Sequence, residues 1–233
     1  MKKEAIKINI GRNKIINLYI NKETNSEKII KMIKKGVQKP FDYFNNVKKI
    51  SFDIELIYSR KEMNIKLKFK TPNWLIAHSF GKKFIIFEPS KIEKCTSHKR
   101  NEFAKIIAHE TSHIMLKKIN PDFCTWLNEG IAQNIANQKK KIEIKPKNIK
   151  YFIKNCLFIN SGYKKFISNQ GYEISYRLTK SLIDSYDKKT LLKLLKLKYY
   201  FDKSSEKNFC KILQKNKQEL IEKFIKVLEG PLK

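Results

Sequence analysis

Apolar residues in the first ninety positions fall at two spacings, one of two residues and one helical. Ala5–Ile10 and Ile15–Ile20 alternate loosely, while Ile50, Phe52, Ile54, Leu56 and Tyr58 alternate strictly. That period of two marks strands with one buried face. Between them Ile29, Ile33, Val37 and Phe41 recur at helical spacing behind a capping Thr24 or Asn25. The spacing predicts a helix to about Asn45, ended or kinked by Pro40. Residues 59–69 send two signals. Met63, Ile65, Leu67 and Phe69 alternate as a strand would, whereas Ser59-Arg-Lys-Glu62 suits a helix start. Thr71-Pro72 closes that stretch, and Phe84–Phe87 reads as a short strand ending at Glu88-Pro89.

The period then lengthens. Phe103, Ile106, Ile107 and Ile114 predict a helix from about Lys99 to Lys118, and another begins near Trp126. Beyond Pro146 the stretches 147–158, 172–186, 188–197, 204–213 and 217–228 all read as helices. The expected class is α+β within a single domain, 1–233: a small mixed sheet with its helices over 1–119, a helical subdomain over 120–233, and a cleft between them.

A chain of 233 residues with 41% hydrophobic side chains can bury one sizeable core or two smaller ones. No apolar run approaches the roughly 20 residues of a membrane span. The opening MKKEAIKINIGRNK is basic but lacks the apolar stretch of a secretory signal, so the expected location is cytoplasmic. Cys95, Cys124, Cys156 and Cys210 are irregularly spaced and suggest buried thiols rather than a metal knuckle or disulfide framework. The net charge of +29 would draw the chain toward nucleic acid or an anionic surface. Yet the only arginines are Arg12, Arg60, Arg100 and Arg177, and the lysines are spread end to end. Arginine forks are what sequence-reading phosphate sites use, so solvated faces are the simpler reading and nucleic acid is not an expected partner.

Candidate chemistry is concentrated in one place. Two of the four histidines lie in His109-Glu-Thr-Ser-His113. Residues four apart share a helix face, so both imidazoles can reach one ion. Zinc takes such nitrogens at about 2.0–2.1 Å, and the intervening Glu110 would stand beside the ion as a general base toward water. The flanking Ala104, Ile106, Ile107, Ile114, Met115 and Leu116 make this a buried helix, where polar side chains need partners. A catalytic zinc needs a third protein ligand and an open position. Glu129, within Trp126-Leu-Asn-Glu-Gly-Ile-Ala132 on the next predicted helix, is the candidate; Gly130 and Ala132 would let two helices pack closely.

HETSH followed by WLNEGIA resembles the gluzincin metallopeptidases, and most closely the compact peptidase MA-like proteins. The likeness covers about residues 24 to 228 and is strongest over 103–133. It extends to the run Thr71–His78 into Phe84–Phe87, and to Gly171–Tyr176 with Leu191–Leu195. It implies a zincin-like fold and a zinc-dependent hydrolase acting on peptides or proteins. His109, His113 and Glu129 would hold Zn2+, and Glu110 would activate water. Tyr172, with Tyr176 in reserve, would donate to the developing oxyanion. Lys83, Phe84, Ile85, Ile86 and Phe87 would form an edge strand that pairs with an extended substrate. The strand before HETSH lacks the acidic motif of related aminopeptidases, which points to an endopeptidase. Gln133 stands where some members carry an acid behind a ligating histidine, and His78 and His98 read as structural. Residues 1–20 or the C-terminal Gly230–Lys233 would be the segments able to block such a cleft. The competing reading is a basic protein that binds nucleic acid or an anionic surface and keeps a structural or vestigial zinc site.

Overall fold

The computed structural model describes residues 3–45, 47–122, 124–138, 142–158, 162–197 and 203–231. It is a mixed α+β chain with a five-stranded sheet. Contacts divide it into two compact units, Met1–Met115 and Leu116–Lys233.

The first unit begins with a hairpin, β1 (Lys3–Gly11) and β2 (Lys14–Asn21), turned by Asn13 in the left-handed region at φ 64. Helix α1 (Ser26–Tyr43) follows, with the Asn25 side chain accepting from the Lys28 amide at its start. Ile29, Ile33, Val37 and Phe41 form its buried stripe, as their spacing predicts. Pro40 does not end the helix, which runs on to Tyr43. Burial of Phe41 and Phe44 holds the last turn, and the Phe44 amide donates to the Pro40 carbonyl at 2.9 Å.

Strand β3 (Ile50–Ile57) lies parallel to β2 on one side and to β5 (Lys83–Phe87) on the other. The ambiguous stretch is helical: α2 (Arg60–Leu67) starts at Ser59, whose hydroxyl accepts from the Glu62 amide, and stops at Lys68 in the left-handed region. Its strand-like alternation was not a burial pattern, since only Met63 is buried. A short strand that the sequence pattern does not announce, β4 (Ala77–Phe80), pairs antiparallel with β5 and gives the order β1-β2-β3-β5-β4. Lys83–Phe87 is therefore an interior strand, bonded on both sides, and not the edge expected for it. The hairpin of residues 3–21 is built into this sheet, so those residues are not a detached blocking segment. After α3 (Ile92–Cys95) and a 3-10 turn at Arg100–Glu102, the long α4 (Phe103–Ile119) begins. It approaches α1 at Gly36, where a Cβ would come within 2.7 Å of the Ala104 carbonyl and of Ile107.

The second unit is helical: α5 (Thr125–Ile135), α6 (Pro146–Asn155), α7 (Tyr163–Ser168), α8 (Gly171–Ser185), α9 (Lys188–Leu195), α10 (Lys203–Leu213) and α11 (Lys217–Glu229). Its core is organised around Trp126, 1% exposed, whose ring meets Phe152, Phe209 and Phe224 at 6.2–6.3 Å. The Trp126 indole N–H donates to the Leu157 carbonyl at 3.0 Å, which satisfies its only polar atom. Cys124, Cys156 and Cys210 are buried thiols and Cys95 is half-buried. Among the described residues, no helix is long and apolar enough to cross a membrane.

Candidate metal centre

Helix α4 carries His109 and Glu110 side by side and His113 one turn later. The two imidazoles stand nearly perpendicular, 89° apart, with their Nε2 atoms 2.9 Å from each other. A tetrahedral zinc with nitrogens at 2.0–2.1 Å would hold two of them about 3.3 Å apart. The two nitrogens thus lie within a few tenths of an ångström of the spacing that one zinc ion would hold them at. Glu110 and His113 are buried and His109 is half-buried.

Glu129 comes from α5, and three features fix where that helix puts it. Trp126, one turn earlier, anchors the helix start in its aromatic cage. Gly130 lets α5 touch α8: a Cβ there would lie 2.3 Å from the Ser175 carbonyl and 2.5 Å from the Thr179 hydroxyl. Asn134 then ties the two helices together, its amide donating to the Gly130 carbonyl at 2.8 Å, the Tyr176 carbonyl at 3.0 Å and the Thr179 hydroxyl at 2.7 Å.

One ligand-type atom from each of His109, His113 and Glu129 lies within 4.8 Å of the others, and this is the one such group among the described residues that could hold a metal ion. Two imidazoles and a buried carboxylate suit a borderline cation such as zinc better than a hard one such as calcium, which takes all-oxygen cages. The donor set fits a divalent transition metal and does not by itself select zinc. Gln133, four residues beyond Glu129 and on the same face of α5, is 4% exposed. Its carbonyl oxygen, like the Thr111 hydroxyl, has no hydrogen-bond partner among the described residues.

Other expected site residues have more ordinary surroundings. Tyr172, the second residue of α8, is half-buried; its hydroxyl shares a hydrogen bond with the Tyr163 hydroxyl and its ring meets Phe166 edge-on at 5.4 Å. Tyr176 is buried one turn later. His98 bridges Glu102 and the Trp74 carbonyl, each at 3.0 Å, and so staples a loop. His78 is exposed on β4 beside Phe80. Glu88 caps the turn after β5, its carboxylate accepting from the Ser90 amide and hydroxyl. Sequence reasoning missed Asn134, one of two adjacent amides between Ala132 and Ile135, and it missed β4 as the strand beyond Lys83–Phe87.

Comparison with known proteins adds no assignment: no protein-family model matches the chain, and no curated protein matches it.

Proposed function

We propose that this chain is a zinc-dependent metallopeptidase of zincin-like build that hydrolyses internal peptide bonds. His109, His113 and Glu129 hold the ion and Glu110 is the general base. The observation that carries this reading is the convergence of two imidazoles and one carboxylate from α4 and α5 within 4.8 Å, with a second carboxylate between the two histidines in the chain. Bound zinc would supply Lewis acidity, making water a stronger acid and polarising a substrate carbonyl.

The chain's own residues do the rest. The Glu110 carboxylate takes a proton from the attacking water as the water oxygen bonds to the peptide carbon. It returns that proton to the amide nitrogen as the C–N bond breaks. Buried as it is, Glu110 keeps bulk water from competing for the proton. Tyr172 is the candidate donor to the carbonyl oxygen, with Tyr176 one turn on as the reserve. Extended substrate would add to the sheet at β4, whose outer edge no described strand occupies, and not at Lys83–Phe87.

The test is Glu110→Gln, assayed on denatured casein with metal content read in parallel. General-base catalysis contributes about 10²–10⁴ in rate, so hydrolysis should fall at least about a hundredfold while metal content stays at the wild-type level. Retained activity, or loss of the metal in this variant, would contradict the role given to Glu110.

A further inference from the structure

The first unit exposes apolar side chains in one region far more than elsewhere. Of the six large hydrophobic residues exposed by more than 40% among the described residues, four lie between α2 and β4: Ile65 at 67%, Phe69 at 51%, Trp74 at 46% and Phe80 at 41%. Lysines are interleaved with them, Lys61, Lys66, Lys68, Lys70 and Lys82 all being exposed. The one acid in this stretch, Glu62, is already bonded to Lys3 and to the Tyr58 amide.

Hydrogen bonds show that these residues belong to one folded surface. Glu55 binds Lys66 through one carboxylate oxygen at 2.7 Å and Lys83 through the other at 2.5 Å. The last turn of α2 therefore stands over the start of β5. Phe80 is the register partner of Lys83, so its side chain leaves the sheet on the same face, as does that of His78 two residues earlier. The loop after α2 folds back along the helix: Asn64 accepts from the Thr71 amide at 2.8 Å, and Arg60 donates to the Thr71 hydroxyl and the Leu75 carbonyl, each at 2.9 Å. Phe69 and Trp74 are thus held on a laced loop.

Exposed apolar side chains ringed by lysine stems gain free energy where an apolar layer lies beneath a negatively charged surface. We infer that this face, from α2 through β4, docks on an anionic lipid bilayer, with Ile65, Phe69, Trp74 and Phe80 entering the interface and the lysines meeting lipid phosphates and carboxylates. Nucleic acid suits the surface less well. Ile65, the most exposed of the four, has no ring to stack on a base, and the Arg60 guanidinium is committed to backbone carbonyls. A second copy of the chain is disfavoured because a two-fold contact would set this lysine-rich face against itself. No residue of the metal centre takes part, although the face includes Phe80 of β4, the strand to which substrate is proposed to add.

Trp74 makes the test direct. The chain has two tryptophans, and the other, Trp126, is buried. The full chain is titrated with phosphatidylcholine vesicles, with and without about one-third phosphatidylserine, near 0.1 M salt. Binding should require phosphatidylserine, weaken as salt rises, and shift tryptophan emission to the blue. Each of Lys68→Glu and Lys70→Glu should weaken partitioning about fivefold or more, and Phe69→Ser about tenfold. Lys207→Glu and Lys211→Glu, exposed on α10, should cost clearly less. All five sites are exposed, so an unchanged thermal midpoint shows that each variant folds. The inference is overturned by absent binding, by an unshifted Trp74 emission, by equal losses at α10, or by tighter binding to a single-stranded oligonucleotide that the same variants abolish. Binding that survives metal chelation separates this result from the fate of the peptidase reading.

Discussion

Glu55 is the residue whose chemistry most shapes the first unit. It sits in the interior strand β3, 5% exposed, where an unpaired carboxylate would be costly. Burial alone would raise its pKa, but hydrogen bonds from Lys3, Lys66 and Lys83 outweigh that and lower it to about 2 from an ordinary 4.5. A depressed folded-state pKa means stability that is fully present above the unfolded value and lost as pH falls from about 4.5 toward 2. The shift corresponds to about 3 kcal/mol at neutral pH. Urea unfolding of wild type and Glu55→Gln should differ by an amount of this order at pH 6, and the gap should close as pH approaches 2. A gap that stays constant with pH would mean that Glu55 acts through shape and not through charge. Residue-scale chemistry was legible in the sequence wherever partners are close along the chain. His109 and His113 announce themselves because one helical turn joins them. The three lysines around Glu55 did not, because they come from β1, α2 and β5 and only the fold brings them together.

At the scale of elements, the placing of Glu129 depends on how closely α5 and α8 pack, and Gly130 sets that distance. An added Cβ would overlap the Ser175 carbonyl on α8, which is backbone and cannot swing aside. Alanine gains about 1 kcal/mol over glycine in helix propensity, while overpacking costs about 1–3 kcal/mol. Gly130→Ala should therefore lower stability by up to about 2 kcal/mol and weaken metal binding, read by denaturation and by competition with a chelator. Unchanged stability and metal affinity together would show that α5 is not positioned by this contact.

Element type was legible where the apolar period was long. The α1 stripe, the alternation of β3 and the helices from α8 onward all follow from it. Pattern failed where few residues are buried. Helix α2 buries Met63 alone, so its period of two does not report burial, and β4 is four residues long with only Ala77 buried and leaves no clear period. The edge position expected for Lys83–Phe87 was a different kind of miss. Phe84, Ile85, Ile86 and Phe87 are all fully buried, and a run with no polar alternation is what a strand covered on both faces looks like. That run argued for an interior position from the start.

Over the whole molecule, the charge of +29 is carried almost entirely by lysine, and two of the four arginines are spent inside the fold. Arg60 binds carbonyls around α2, and Arg177 binds those of Leu228 and Gly230 near the C-terminus. Burial lowers the pKa of both guanidinium groups from the usual value. The Arg177 contacts also tie down Gly230, whose backbone is thereby committed to α8. What remains for partners, beside the exposed Arg12 and Arg100, is a lysine surface, which favours attraction over the geometric forks that read sequence.

The central claim is that one transition-metal ion is held by His109, His113 and Glu129. Zinc K-edge absorption spectroscopy on the purified full chain tests it most directly. The account predicts about one zinc per chain, bound only by nitrogen and oxygen at about 2.0–2.1 Å with two imidazoles resolved, and loss of the ion in Glu129→Ala. A chain that holds no zinc, sulfur ligands near the roughly 2.3 Å of zinc–thiolate bonds, or an unchanged spectrum in that variant would contradict it.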